Sequence, residues 1–167
     1  MESKTYLLIL ILIFSFISCV NSNNVEMIYK DQIGDTSFNP NLDDPEFKFC
    51  DSTNVLHKRA YISYSGGKRA LEKAIIKHYE FKPEYSGFNG YFIVRFAINC
   101  NNEPGRIRIQ VLDSNFNQTN CSEVLMQHIQ TIFKNLKNWN HAIYKGEDYD
   151  GYTFHVIKID HGKIQST

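Results

Sequence analysis

The reactive side chains of this 167-residue chain are four cysteines and six histidines. Cys19, Cys50, Cys100 and Cys121 could be acylated, pair as disulfides, ligate a soft metal or attack an electrophile. A thiolate metal site calls for closely spaced pairs such as Cys-x-x-Cys or a short His-to-His spacing. Neither occurs, and no metal or cofactor is expected. A cysteine–histidine nucleophile could be built on Cys121, which opens a helical stretch, or on Cys100, which ends a strand-like one; structural cysteine is the favoured reading of both. The histidines (57, 78, 128, 141, 155 and 161) are scattered. His78 and His128 fall beside apolar stripes, and His141, His155 and His161 fall late in the chain. There is no Gly-rich phosphate loop, nucleophile elbow or paired-carboxylate arrangement. The residue types therefore name no catalytic site.

The start of the chain reads as a secretion signal. Lys4 supplies a short positive region, and residues 7–17 are almost wholly apolar, too few for the ~20 that span a bilayer. Phe16-Ile17-Ser18-Cys19 resembles a bacterial lipobox, with Phe16 where Leu is usual. That resemblance implies removal of residues 1–18 and acylation of Cys19, which would hold the protein on a membrane. The competing cut follows Val20-Asn21-Ser22 and would release a soluble secreted protein. Charge is balanced, with 18 basic and 18 acidic residues. No Lys/Arg block is present, so the footprint of a nucleic-acid binder is missing.

The elements that would position any site come next. Residues 19–48 are rich in Asn, Asp and Ser with isolated apolar residues, and read as a flexible tether. Residues 49–167 are enough for one domain with a core. A short strand is expected over 59–64. Residues 68–79 read as a helix with Leu71, Ala74, Ile75 and His78 on one stripe, stopped by Pro83. Residues 90–100 and 105–113 alternate at period two, with Phe92, Val94, Phe96 and Ile98, then Ile107, Ile109 and Val111, on one face. Asn101, Asn102, Glu103, Pro104 and Gly105 between them signal a hairpin. Arg106, Arg108 and Gln110 fall on the opposite, wetted face. A second helix is expected over 122–136, with Asn120 as N-cap and Leu125, Ile129, Ile132, Phe133 and Leu136 inward. A polar loop covers 140–150, and residues 152–159 form the last strand, Phe154 and Val156 on one side and His155, Ile157 and Ile159 on the other. The expected fold is α+β: a three-stranded antiparallel sheet with two helices on its Phe92/Phe96 face.

This order resembles the C-terminal domain of TonB, the energy-transducing protein of Gram-negative bacteria, and most of all the TonB-like domains of Bacteroidetes secreted proteins and lipoproteins. The resemblance covers residues 61–164. Its pieces are Gly66-Gly67-Lys68-Arg69-Ala70-Leu71, the run from Asn89 to Cys100 with Gly105, Leu136 with Trp139, and Ile157-Lys158-Ile159 with Gly162-Lys163-Ile164. TonB's membrane-spanning helix and Pro-rich stalk are missing, and Trp139 is followed by Asn140 where the family often has Pro. The resemblance implies a non-enzymatic periplasmic module, tethered through Cys19, that docks an extended segment of an outer-membrane or periplasmic partner by strand addition along Tyr152, Thr153, Phe154, His155, Val156, Ile157 and Lys158. It also implies a Cys50–Cys100 disulfide; Cys100–Cys121 is the rival pair. The competing arrangement at the last strand is an edge covered by the N-terminal arm. Competing functions are a small secreted enzyme using Cys121 or a histidine, and a structural disulfide-bonded domain with no transport role.

Overall fold

The computed structural model describes residues 38–57 and 61–165. Strand β1 is Ser63–Tyr64, helix α1 is Gly67–His78, and a short 3₁₀ turn spans Pro83–Tyr85. Strands β2 (Gly90–Ile98) and β3 (Pro104–Asp113) form the hairpin. Helix α2 (Glu123–Asn135) follows, then β4 (Trp139–Asn140), β5 (Ala142–Tyr144), β6 (Glu147–Tyr149), β7 (Gly151–Asp160) and β8 (Lys163–Gln165). The principal sheet is antiparallel with strand order β3-β2-β7-β8. It thus has four strands where three were expected. The extra strand forms because Asp160, His161 and Gly162 turn the chain back, with positive φ at His161 and Gly162. The expected polar loop over 140–150 instead holds a small hairpin, β5 against β6, turned at Lys145 and Gly146.

Alternation decides the buried face. Phe92, Val94, Phe96 and Ile98 are buried and stand in register with Ile157, His155, Thr153 and Gly151 across β2 and β7. Both helices cover that side: Leu71 and Ile75 of α1 and Leu125, Ile129, Ile132 and Phe133 of α2 join one apolar cluster with the strand residues. Each fully buried residue of that size contributes ~1.5–3 kcal/mol. Phe133 packs on the Phe96 ring at 5.3 Å and is fully buried, so its loss would leave a cavity in this core. Trp139 closes the end of it against Tyr64 and Phe96, which places β1 and β4 as a small two-stranded cover. The α2 N-cap is Ser122, whose hydroxyl accepts from the Leu125 N–H at 3.3 Å, so the cap lies two residues later than Asn120.

The opposite face is not simply wet. Residues 38–48, which fall in the expected tether, pack on it at one end. Phe47 lies over Gly105, where any side chain would collide with the ring. Asp43 accepts from Arg106 at 2.8 Å and from Arg108 at 2.6 and 3.0 Å, and its side chain is 1% exposed. A bulge between Arg95 and Ala97 shifts the register here, and Arg106 takes a positive φ in it. The folded body therefore begins well before residue 49. Cys50 and Cys100 are disulfide-bonded, with Cα atoms 6.1 Å apart, and this pins the arm to the hairpin turn. No described helix is long and apolar enough to cross a membrane. Residues 1–37, with the signal and Cys19, and residues 58–60, which include the first two positions of the expected first strand, lie outside the described residues.

Candidate edge-strand site

Strand β7 is the element on which the resemblance described above leads one to expect partner binding. Along one side it pairs with β2 through residues 151–159. Its other side is met at both ends. The Tyr152 N–H donates to the Leu56 carbonyl at 2.9 Å, beside a parallel bridge from Leu56 to Gly151. Lys158, Ile159 and Asp160 pair with β8. Of the expected docking stretch from Tyr152 to Lys158, the two end residues thus already have a backbone partner on that side. Tyr152 is also buried, stacked on His57 and beside Phe49.

Among the described residues, a five-residue opening remains at 153–157. Because the Tyr152 N–H points away from β2, the period of two sends the backbone groups of Phe154 and Val156 outward as well. Those of Thr153, His155 and Ile157 point to β2. Among the described residues, no backbone group pairs with the outward edge of Phe154 or Val156. Their side chains, on the face away from the helices, are 62% and 39% exposed. Exposed apolar side chains beside unpaired backbone donors and acceptors form a template for another strand.

The inner side of the opening is a groove between β7 and α1. Near Thr153 and His155 it widens into a cavity of about 260 Å³ lined by Tyr64, Leu71, Phe96 and Trp139, with Lys68 at the rim. Near Ile157 it is almost filled by Ile75, Ile76 and Ile164. His155 lies at the middle. Burial lowers its pKa, with Glu72 opposing and Lys68 adding to the shift, so the ring is held neutral.

The other candidate groups are not assembled into a reactive site. His141 has one ring nitrogen 2.8 Å from Asn102 and the other 3.0 Å from Asp148. His161 sits on Asp160 and Asn89, and His128 lies against Tyr79 and Tyr85. His78, expected on the buried stripe, is exposed and bonded to the Ala74 carbonyl. Cys121 is half-buried and its thiol pKa is raised by burial, the opposite of what a nucleophile needs. Cys50, Cys100 and Asp150 approach one another, but the two sulfurs are bonded together and Asp150 accepts the backbone N–H groups of Asp51 and Cys100 at 2.8 Å each. Sequence reasoning missed Asp150, the Asp43–Arg106–Arg108 cluster and the Leu56 bridge. Only the Phe-Lys-Phe-Cys pattern of residues 47–50 hinted that the arm packs.

No family model, curated protein or solved structure matches the chain.

Proposed function

We propose that this protein is a non-enzymatic binding module that takes an extended segment of a partner protein onto the outer edge of β7. The observation that carries this is the five-residue stretch 153–157, open among the described residues, bounded by Leu56 and β8 and bordered by exposed Phe154 and Val156. Added main-chain hydrogen bonds supply affinity, and alternate side chains supply register. With Cys19 acylated, the module would be tethered at the periplasmic side of the outer membrane, where a transport protein of that membrane is the proposed partner. The raised thiol pKa of Cys121 and the engaged ring nitrogens of His141 weigh against the enzyme alternative.

The test is capture from detergent-solubilised envelope, comparing the native protein with Val156→Pro. The Val156 N–H points outward, so proline removes a donor offered to the guest and spares the bonds to β2. Capture of a specific envelope protein should be lost while circular dichroism stays unchanged. Capture that survives the proline in a folded variant would remove the edge-strand idea.

A further inference from the structure

Two helices roof one face of the principal sheet, and the arm covers one end of the other face. Residues directly opposite one another across a ladder share a face. The register therefore sets Arg95 beside Phe154, Ile93 beside Val156, and Tyr91 between Lys158 and Leu112. At the Phe154 end the arm intervenes, with Phe47 over Gly105 and Phe38 5.1 Å from the Arg106 guanidinium. Beyond it Phe154, Val156 and Lys158 are exposed, and Tyr91, Ile93, Arg95 and Leu112 are half-buried.

Phe116 extends this apolar field against the preference of its own backbone. Its ring stacks on Tyr91 at 4.7 Å, and the residue is 66% exposed. Its φ is 63°, in the left-handed region that bulky side chains avoid. The Asp113 carboxylate holds the loop there by accepting the Asn115 and Asn117 N–H groups at 2.8 and 2.9 Å. Glycine would take that conformation freely. The turn thus does not require the ring, yet presents it to solvent.

Composition and the entry point of the chain indicate the occupant. Among the aromatic and aliphatic side chains stand two cations, Arg95 and Lys158. Asp160, on the same face by alternation, lies at its margin with the His161 ring at 2.9 Å. Asp43 is held by Arg106 and Arg108 under the arm. A second copy packed on this face would bury Arg95 and Lys158 with no acid of the field to meet them. A bilayer surface with acidic headgroups meets both requirements: rings enter the headgroup layer, and Lys and Arg reach phosphate. Cys19 precedes Phe38 by 19 residues, so on the acylation reading at most ~65 Å of chain, at ~3.4 Å per residue, separates the anchor from this face.

We propose that the outer face of the sheet docks on an anionic lipid bilayer, with Phe116, Tyr91, Phe154 and Val156 in the headgroup layer and Arg95 and Lys158 on lipid phosphates. The backbone edge of β7 then lies in the plane of the membrane.

The protein to test is residues 19–167 with Cys19→Ser, the chain left by signal removal but without an acyl group, so the outcome is independent of the tether reading. It should sediment with phosphatidylcholine vesicles containing phosphatidylglycerol and not with phosphatidylcholine alone, and less so at high salt. Arg95→Gln and Lys158→Gln should each weaken binding about fivefold. Phe116→Gly, which suits the left-handed backbone, should weaken it at least as much with no loss of unfolding stability. Tyr144→Ser, at an exposed ring of the β5–β6 hairpin, should leave it unchanged. With spin-labelled lipid in bicelles of the acidic mixture, the amide signals of Tyr91, Phe116 and Val156 should broaden first. No sedimentation with the acidic vesicles at low salt, or equal losses in Phe116→Gly and Tyr144→Ser, overturns the docking face and leaves strand addition standing. A dimer by ultracentrifugation that shifts those signals without lipid assigns the face to a second copy. Shifts produced by a Glu-rich peptide and not by vesicles assign it to an acidic protein, and either result overturns the lipid surface.

Discussion

Asp43 is the residue whose removal most sharply tests how the arm is held. Its carboxylate accepts from the Asn39 N–H at 2.8 Å, from Arg106 at 2.8 Å and from Arg108 at 2.6 and 3.0 Å. The Arg108 side chain is 5% exposed and that of Arg106 10%. Asp43→Asn keeps the shape and removes the charge, leaving two guanidinium groups without their carboxylate. Removing one partner of a buried pair costs ~3–5 kcal/mol. The amide oxygen still accepts one bond, and Arg106 keeps its contacts with the Phe38 and Phe49 rings at 5.1 and 5.7 Å, each worth ~0.5–1 kcal/mol. The expected loss is therefore at the lower end, about 3 kcal/mol by urea unfolding of the oxidised protein. Limited proteolysis should cut the variant within residues 38–48. Adding Arg108→Met should restore part of the loss, since one of the two buried charges facing the site is then gone. The pH dependence has a definite sign. Burial opposes the charge of Asp43, but the hydrogen bonds from Arg108, Asn39 and Arg106 outweigh it and hold the pKa below the ordinary 3.8. The unfolded carboxyl takes its proton first as pH falls. The contribution is complete above that ordinary value and disappears on acidification through the folded one, so the difference between native and variant shrinks in acid. A loss under about 1 kcal/mol at neutral pH, without new cleavage, would refute the buried-latch account.

Two other perturbations follow from the same geometry. Reducing the disulfide, or replacing Cys50 and Cys100 by Ser, should cost ~4 kcal/mol in the loop-entropy account and free the arm, read by unfolding under oxidising and reducing conditions. His155 is held neutral by burial, so the unfolded chain takes up its proton before the folded one does; native protein should lose stability relative to His155→Leu as pH falls from about 7 to about 5, and a constant difference would contradict this.

Period-two and period-3.6 patterns were enough to place β2, β3, α1, α2 and β7, because each has one face in the same core. The same patterns misread Arg106 and Arg108. Alternation says which face a residue is on, but not what else packs there, and Asp43 comes from more than sixty residues away. The end of the expected tether, residues 38–48, packs on the body for a related reason. Asn, Pro and Asp between 39 and 45 look like linker by composition, yet Asn39 and Asp43 close a local turn that aims one carboxylate at the two arginines. The edge of β7 was partly legible. Its exposed Phe154 and Val156 follow from alternation, whereas the stops at Leu56 and β8 depend on long-range pairing that no local pattern records.

The openness of that edge is the claim on which the rest depends, and residue-resolved amide exchange of the free protein tests it directly. Thr153, His155 and Ile157 should be protected by β2, Tyr152 by Leu56 and Lys158 by β8. Phe154 and Val156 should exchange far faster than all of them. Protection at Phe154 and Val156 equal to that at His155 would mean the edge is already filled, and would contradict the account.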